Sequence, residues 1–270
     1  MSALGPEPPP LTRHPADPSL TGQASGRDAG RAIVIAGVVV LSIVVAAIVV
    51  LLLILFIRKP AANPQALTLT SGSVVFSDSF TASNSGWPQT TLASGSTIGY
   101  RRGGYVVSGE GAHSHFVSAP YSTSLVALAI TVTATVTNGD PVTSGYGVRC
   151  NPASVGDPAY AFFLNPAGTF LVDRYNSPSA TPVSLSRGLA PIARAGAATS
   201  VTGACIVVKS NEGRSSVRLV LAVQGTVVAD VLDSVFGSGD GWTPSLVTST
   251  TVAQPSVVDF THFAVRNLDG

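Results

Sequence analysis

The sequence predicts an all-β domain, a sandwich or barrel of antiparallel strands, carried behind one membrane-crossing helix. Three observations predict it. An uncharged apolar run, AIVIAGVVVLSIVVAAIVVLLLILFI, extends from Ala32 to Ile57 with Ser42 as its only polar side chain. Leu125 to Thr137 alternates apolar residues with small and Thr residues in strict period two. Residues 73–270 hold further short apolar segments broken by turn residues, the pattern of a sandwich or barrel.

Residues 1–31 are rich in Pro, Gly, Ser and Asp and offer almost nothing apolar to bury, which predicts a disordered tail. Pro8-Pro9-Pro10 is either a polyproline II ligand or a solvated stretch.

Residues 32–57 exceed the roughly 20 apolar residues that cross a hydrocarbon core of about 30 Å, and tilt absorbs the excess. A signal-peptide core is shorter, about 7–15 residues, and ends at a small-residue cleavage site. Here Arg58-Lys59-Pro60 follows instead, so the helix reads as a retained anchor. It is apolar all round, unlike a buried amphipathic helix. Ala32/Ala36 and Ser42/Ala46 have the small-xxx-small spacing that permits helix pairing, a spacing that also arises by chance in such a composition.

The basic residues that set topology are nearly balanced: Arg13, Arg27 and Arg31 before the helix, Arg58 and Lys59 after it. The long domain after the helix, residues 73–270, has Lys209 as its only lysine and carries both cysteines. This places the N-terminus in the cytoplasm and the C-terminal domain outside. Residues 58–72 form a linker short enough to hold the domain near the bilayer.

Within residues 73–270, the Leu125–Thr137 strand turns Val126, Leu128, Ile130, Val132, Ala134 and Val136 to one face and its threonines to the other. Hairpins follow in AYAFFL-NPAG-TFLVDRY, Ala159 to Tyr175, and SVRLVLAV-QG-TVVADVL, Ser216 to Leu232. In the second, Gln224-Gly225 occupies a two-residue turn that requires positive φ. A last strand is SVVDFTHFAV, Ser256 to Val265.

Cys150 and Cys205 lack zinc-ligand spacing, leaving one disulfide or two buried thiols; an oxidising compartment favours the disulfide. The net charge of +1 and the absence of a basic stripe exclude nucleic acid as a partner.

The order VVFSDSF, SGW, GGYVVS, ATVT, YGVRC, YAFFLNPAGTF, GACIVV, LVLAVQGTVVAD, FGSGDGW, DFTHFAV resembles the concanavalin A-like (laminin-G-like) jelly-roll domains of exported and membrane-anchored actinobacterial proteins. The resemblance covers residues 73–267 and implies a two-sheet antiparallel jelly-roll sandwich. Thr261-His262 and Gln224-Gly225 depart from the Asp-Asn and Asn-Gly pairs common in such domains. The fold hosts lectins, adhesion modules, glycanases and spacers, so function must come from the site.

Glycoside hydrolysis uses two facing carboxylates. Only Glu7, Glu110 and Glu212 are glutamates, none in an E-x-D-x-E arrangement, and Asp230 and Asp233 read as a solvated strand end. His113 and His115 share a strand face that reads as outward. No catalytic set and no cofactor is predicted. Many laminin-G-like domains use calcium, which makes Asp140, Asp157 and Asp240 the residues to inspect. Sugar binding uses exposed aromatic faces beside hydrogen-bonding groups. Trp87, Tyr100, Arg101, Tyr105 and Trp242 are the ligand-binding candidates, with Tyr146 and Arg149 beside them; the two tryptophans alternatively plug the ends of the sandwich. The expectation is a single-pass envelope protein with the lipid bilayer as one partner, presenting a binding or structural module to cell-wall glycan or an envelope protein. An envelope carbohydrate-active enzyme and a signalling protein read through the tail are the alternatives.

Overall fold

The computed structural model describes residues 69–269 apart from 92–96, 110–113, 178–179, 192–195, 210–211, 213–214, 236–239 and 251–254. The predicted tail, the predicted Ala32–Ile57 helix, most of the predicted linker, Glu110 and His113 lie outside the described residues. Among the described residues no helix is long and apolar enough to cross a membrane.

The strands in chain order are β1 (Ser73–Asp78), β2 (Thr90–Thr91), β3 (Thr97–Arg101), β4 (Gly104–Gly109), β5 (Ser114–Ser118), β6 (Ala127–Asn138), β7 (Ser144–Pro152) and β8 (Ala159–Leu164). There follow β9 (Thr169–Tyr175), β10 (Val183–Leu189), β11 (Thr199–Lys209), β12 (Ser215–Val223), β13 (Thr226–Asp233), β14 (Trp242–Thr250) and β15 (Ser256–Asn267). They form two antiparallel sheets. One runs β13-β12-β11-β6-β15-β4-β3-β2, with β1 added against the second half of β15. The other has six strands in the order β10-β9-β8-β7-β14-β5. The chain is thus an all-β, two-sheet antiparallel sandwich.

Period two decides which residues meet between the sheets. Leu128, Ile130, Val132 and Ala134 of β6 face Tyr146, Val148, Tyr160, Phe162 and Leu246 of the six-stranded sheet in one core. The predicted alternation holds along β6 with one exception. Val126 shares the parity of Leu128 but precedes the strand and is 45% exposed. On the other face of the same strand, Ala129 is buried with Ala204, Val220 and Ala222 beneath Leu69 and Leu268. Thr131 stays half-buried there and its hydroxyl meets that of Thr202 at 2.9 Å.

Both predicted hairpins form. In the turn between β12 and β13, Gln224 and Gly225 take φ of 50° and 78°, the two positive values of a type I′ turn. His115, on β5, has the parity of buried Val117 and pairs with buried Thr248, so it faces inward at the sheet edge. That corrects its reading as an outward strand residue: the register of β5 on β14 fixes the face.

Two ties join the sheets. Cys150 of β7 and Cys205 of β11 form the disulfide. At the other, Asp233 of β13 takes both its carboxylate oxygens to the Arg174 guanidinium of β9, at 3.0 and 3.1 Å, and accepts the Tyr160 hydroxyl of β8 at 3.0 Å. Asp233 is only 6% exposed, so the solvated strand end holds for Asp230, which pairs with Arg218 on the open face, and fails for Asp233. Asp233→Asn is expected to cost about 3 kcal/mol, because it uncouples a nearly buried cation. Asp230→Asn is expected to cost less than about 1 kcal/mol. Equal denaturant midpoint shifts for the two variants would refute this division.

Candidate functional site

The outer face of the six-stranded sheet carries the candidate site. Register places its residues in cross-strand rows. One row reads Asp173, Ala161, Arg149, Ser245, Ser118 across β9, β8, β7, β14 and β5. The next reads Leu171, Phe163, Gly147, Val247, Phe116. Four strand spacings separate β9 from β5, roughly 19 Å along a flat sheet. Yet the rings of Tyr175, on β9, and Phe116, on β5, meet edge to face with centroids 5.6 Å apart. The sheet must therefore bend across its strands, with this face concave. Small residues at its centre, Ala161 and Gly147, leave room for the bend.

The concavity has two parts. In one, the Arg149 guanidinium lies 3.9 Å from the Phe116 ring centroid and 5.3 Å from that of Tyr175. Arg149 is 6% exposed, and burial lowers its pKa while the Tyr175 hydroxyl partly restores it. Beside this stack lies an open groove of about 440 Å³. Phe163, Leu171, Tyr175 and Gly145 give it apolar surface. Ser114, Ser249, Thr143, Asn165 and Thr169 supply hydroxyls and an amide, and Asp173 and Arg187 are its charged residues. Ser114 donates to Ser249 at 3.1 Å. Asn165 is fixed by its turn: its side-chain amide donates to the Val142 carbonyl at 2.7 Å and its carbonyl accepts the Thr169 N–H at 2.8 Å.

Asp173 is buried on β9, and its Oδ1 has no hydrogen-bond partner. Burial raises its pKa, against a smaller opposing effect of a Ser184 hydrogen bond. Tyr175 is raised too, first by burial and then by the Asp173 charge, with Ser114 and Arg149 opposing.

The structure places the five predicted ligand residues elsewhere. Trp87, Tyr105 and Trp242 are buried, at 3%, 0% and 0% exposure, and present no open ring to a ligand. The reason is a cluster of aromatic edges: Trp87 packs on Phe80, Tyr105 and Phe263, and Trp242 on Tyr160. Asp78 anchors the first group, accepting the Trp87 indole N–H at 2.9 Å, the Phe80 N–H at 2.7 Å and the Ser85 hydroxyl. The tryptophans are therefore plugs of the sandwich. Tyr100 is half-buried against this cluster, its hydroxyl accepting the Trp87 N–H at 3.1 Å. Arg101 is exposed at the β3–β4 turn and lines a separate shallow hollow on the nine-stranded sheet. Tyr146 points into the core.

Asp140 caps a turn, accepting the N–H groups of Val142 at 2.7 Å and Thr143 at 3.3 Å, and Asp240 accepts the Ser154 hydroxyl. Among the described residues no three His, Cys, Asp or Glu side chains gather as metal ligands.

Phe116, Phe163, Asp173, Tyr175 and Arg187 are not legible as site residues without the register. The available signal was in AYAFFL and TFLVDRY. AYAFFL is apolar on both faces and TFLVDRY is so along Phe170–Val172, and a face that needs no solvation is a covered or ligand-bearing one.

No family model matches the chain, and no curated protein matches it. Among solved structures, it is similar to the carbohydrate-binding module CBM66 from Bacillus subtilis, with 12% identity, 66% of this chain and 91% of that chain covered, and a TM-score of 0.40. It is similar to SCLam, a non-specific endo-β-1,3(4)-glucanase from family GH16, with 11% identity, 77% and 94% covered, and a TM-score of 0.45. It is similar to the marine PL-14 alginate lyase from Aplysia kurodai, with 10% identity, 72% and 99% covered, and a TM-score of 0.47. At these scores the likeness assigns neither ligand nor activity to this chain.

Proposed function

We propose that residues 73–270 are a concanavalin A-like saccharide-binding module, held outside the cell by the Ala32–Ile57 helix, with cell-envelope glycan as its ligand. The concave groove carries this reading. Its size falls in the usual range for ligand pockets, and it sets apolar and aromatic surface beside fixed hydroxyl and amide groups. A sugar ring needs both, an apolar face to cover and hydroxyls to satisfy. Binding is favoured over hydrolysis because, among the described residues lining the groove, Asp173 is the one carboxyl, and hydrolysis uses two. The inter-sheet disulfide fits an oxidising compartment and so supports the outward placement.

Gly145 provides the test. A Cβ built there meets nothing closer than 3.6 Å, so a side chain can enter the groove without displacing backbone. Full-length chain in detergent micelles, applied to a glycan array and to isolated cell walls, is expected to be retained. Gly145→Leu is expected to weaken retention at least about tenfold, ~1.4 kcal/mol, with an unchanged circular dichroism spectrum. Retention indifferent to the substitution would remove the groove from the binding site. For the placement, protease added to intact cells is expected to remove the C-terminal domain; survival of that domain would contradict it.

A further inference from the structure

We infer that the covered half of the concavity is an anion subsite, with Arg149 as its cation, and that the glycan ligand carries carboxylate or sulfate groups; the inference rests on the saccharide-binding reading. Arg149 stands near the centre of the concave face, on β7, the third strand from the β5 edge and the fourth from the β10 edge. Its Nε is buried and has no hydrogen-bond partner. Among the described residues no carboxylate forms an ion pair with it; the two ion pairs there belong to Arg174 and Arg218. A cation taken out of water without a counter-charge is costly, and ring stacking offsets only part of that cost.

The cover is separable from the frame. Phe116 belongs to β5, an edge strand, which among the described residues pairs with β14 alone. It is half-buried, and its ring is what lies over the guanidinium. When Phe116 turns aside, Arg149 meets the groove and can give charge-assisted hydrogen bonds to an oxyanion. The surroundings suit a negative group. Arg187 is an exposed second cation lining the groove. The acid there, Asp173, lies two strands from Arg149 in the same row, and burial favours its uncharged form.

The test uses the full chain in detergent micelles and a panel of uronate-containing and sulfated polysaccharides, each beside its carboxyl-reduced or desulfated form. The acidic forms are expected to bind at least about tenfold more tightly than their neutral counterparts, and Arg149→Gln to abolish the difference. Phe116→Ala is expected to raise the ratio of acidic to neutral affinity at least threefold, which a merely structural Arg149 would not produce. If Arg149→Gln does not fold, the Phe116→Ala result decides. Equal retention of acidic and neutral forms would overturn the subsite and leave saccharide binding standing. Retention of neither form would overturn saccharide binding itself.

Discussion

Replacing both Cys150 and Cys205 by Ala is expected to destabilise the domain by about 4 kcal/mol, which lowers Tm by about 10 °C in a domain of this size. The bond closes a loop of 55 residues, and in the chain-entropy account a loop of that length restricts the unfolded ensemble by this amount. It joins the middle of one sheet to the middle of the other: β7 lies between β8 and β14, and β11 between β12 and β6. Both cysteines are fully buried. Next to the bond, Gly203 leaves the space that the Phe162 ring and Val148 fill from the opposite sheet. Reductant is therefore expected to act slowly on the native domain and rapidly once denaturant opens it, because thiol exchange needs access to sulfur. The checks are calorimetry of the double variant and a gel-mobility shift timed against denaturant. A double variant with wild-type Tm, or thiols that titrate in the native protein, would reject the role.

Asp78→Ala is expected to have a comparable or larger effect, about 5 kcal/mol. Its carboxylate accepts from the Phe80 N–H and the Trp87 indole, which lose their acceptor together, and from the Ser85 hydroxyl, which keeps the Tyr100 hydroxyl and the Ala82 carbonyl as partners. A buried donor left unsatisfied costs about 1–3 kcal/mol. Phe80 also sits at φ 57°, a conformation disfavoured for a bulky residue, so its N–H bond to Asp78 holds a strained turn. Asp78→Asn is expected to cost about half as much, because one oxygen acceptor remains. The measurement is equilibrium unfolding followed by tryptophan fluorescence. Trp87 should become solvent-quenched in the Ala variant at denaturant concentrations where the wild type is native. A variant with unchanged midpoint and emission would show that the aromatic packing alone sets the segment.

This network explains why the segment of Asp78, Phe80, Gly86 and Trp87 admits two readings in the sequence, sugar platform or plug of the sandwich, and only the second in the structure. A tryptophan in a turn reads as an exposed sugar platform when only its neighbours in sequence are known. The structure turns that ring inward because Asp78 is in reach of its N–H and because Phe76, Phe80, Tyr105 and Phe263 surround it. Asp233 was misread for a similar reason. Its solvation depends on Arg174 and Tyr160, which arrive from the other sheet and are 59 and 73 positions away in the chain.

Local pattern was enough for what depends on local periodicity. The alternation along Leu125–Thr137, the Gln224-Gly225 turn and the apolar strands AYAFFL and TFLVDRY determined the strands, the hairpins and the all-β class, because a strand's two faces are set by neighbours two residues apart. Only tertiary structure decided which face meets which. Whether the outside of the six-stranded sheet is flat or concave depends on how five strands bend together. That bend brings Phe116 over Arg149 and opens a groove beside Asp173, and no window of sequence contains those residues at once.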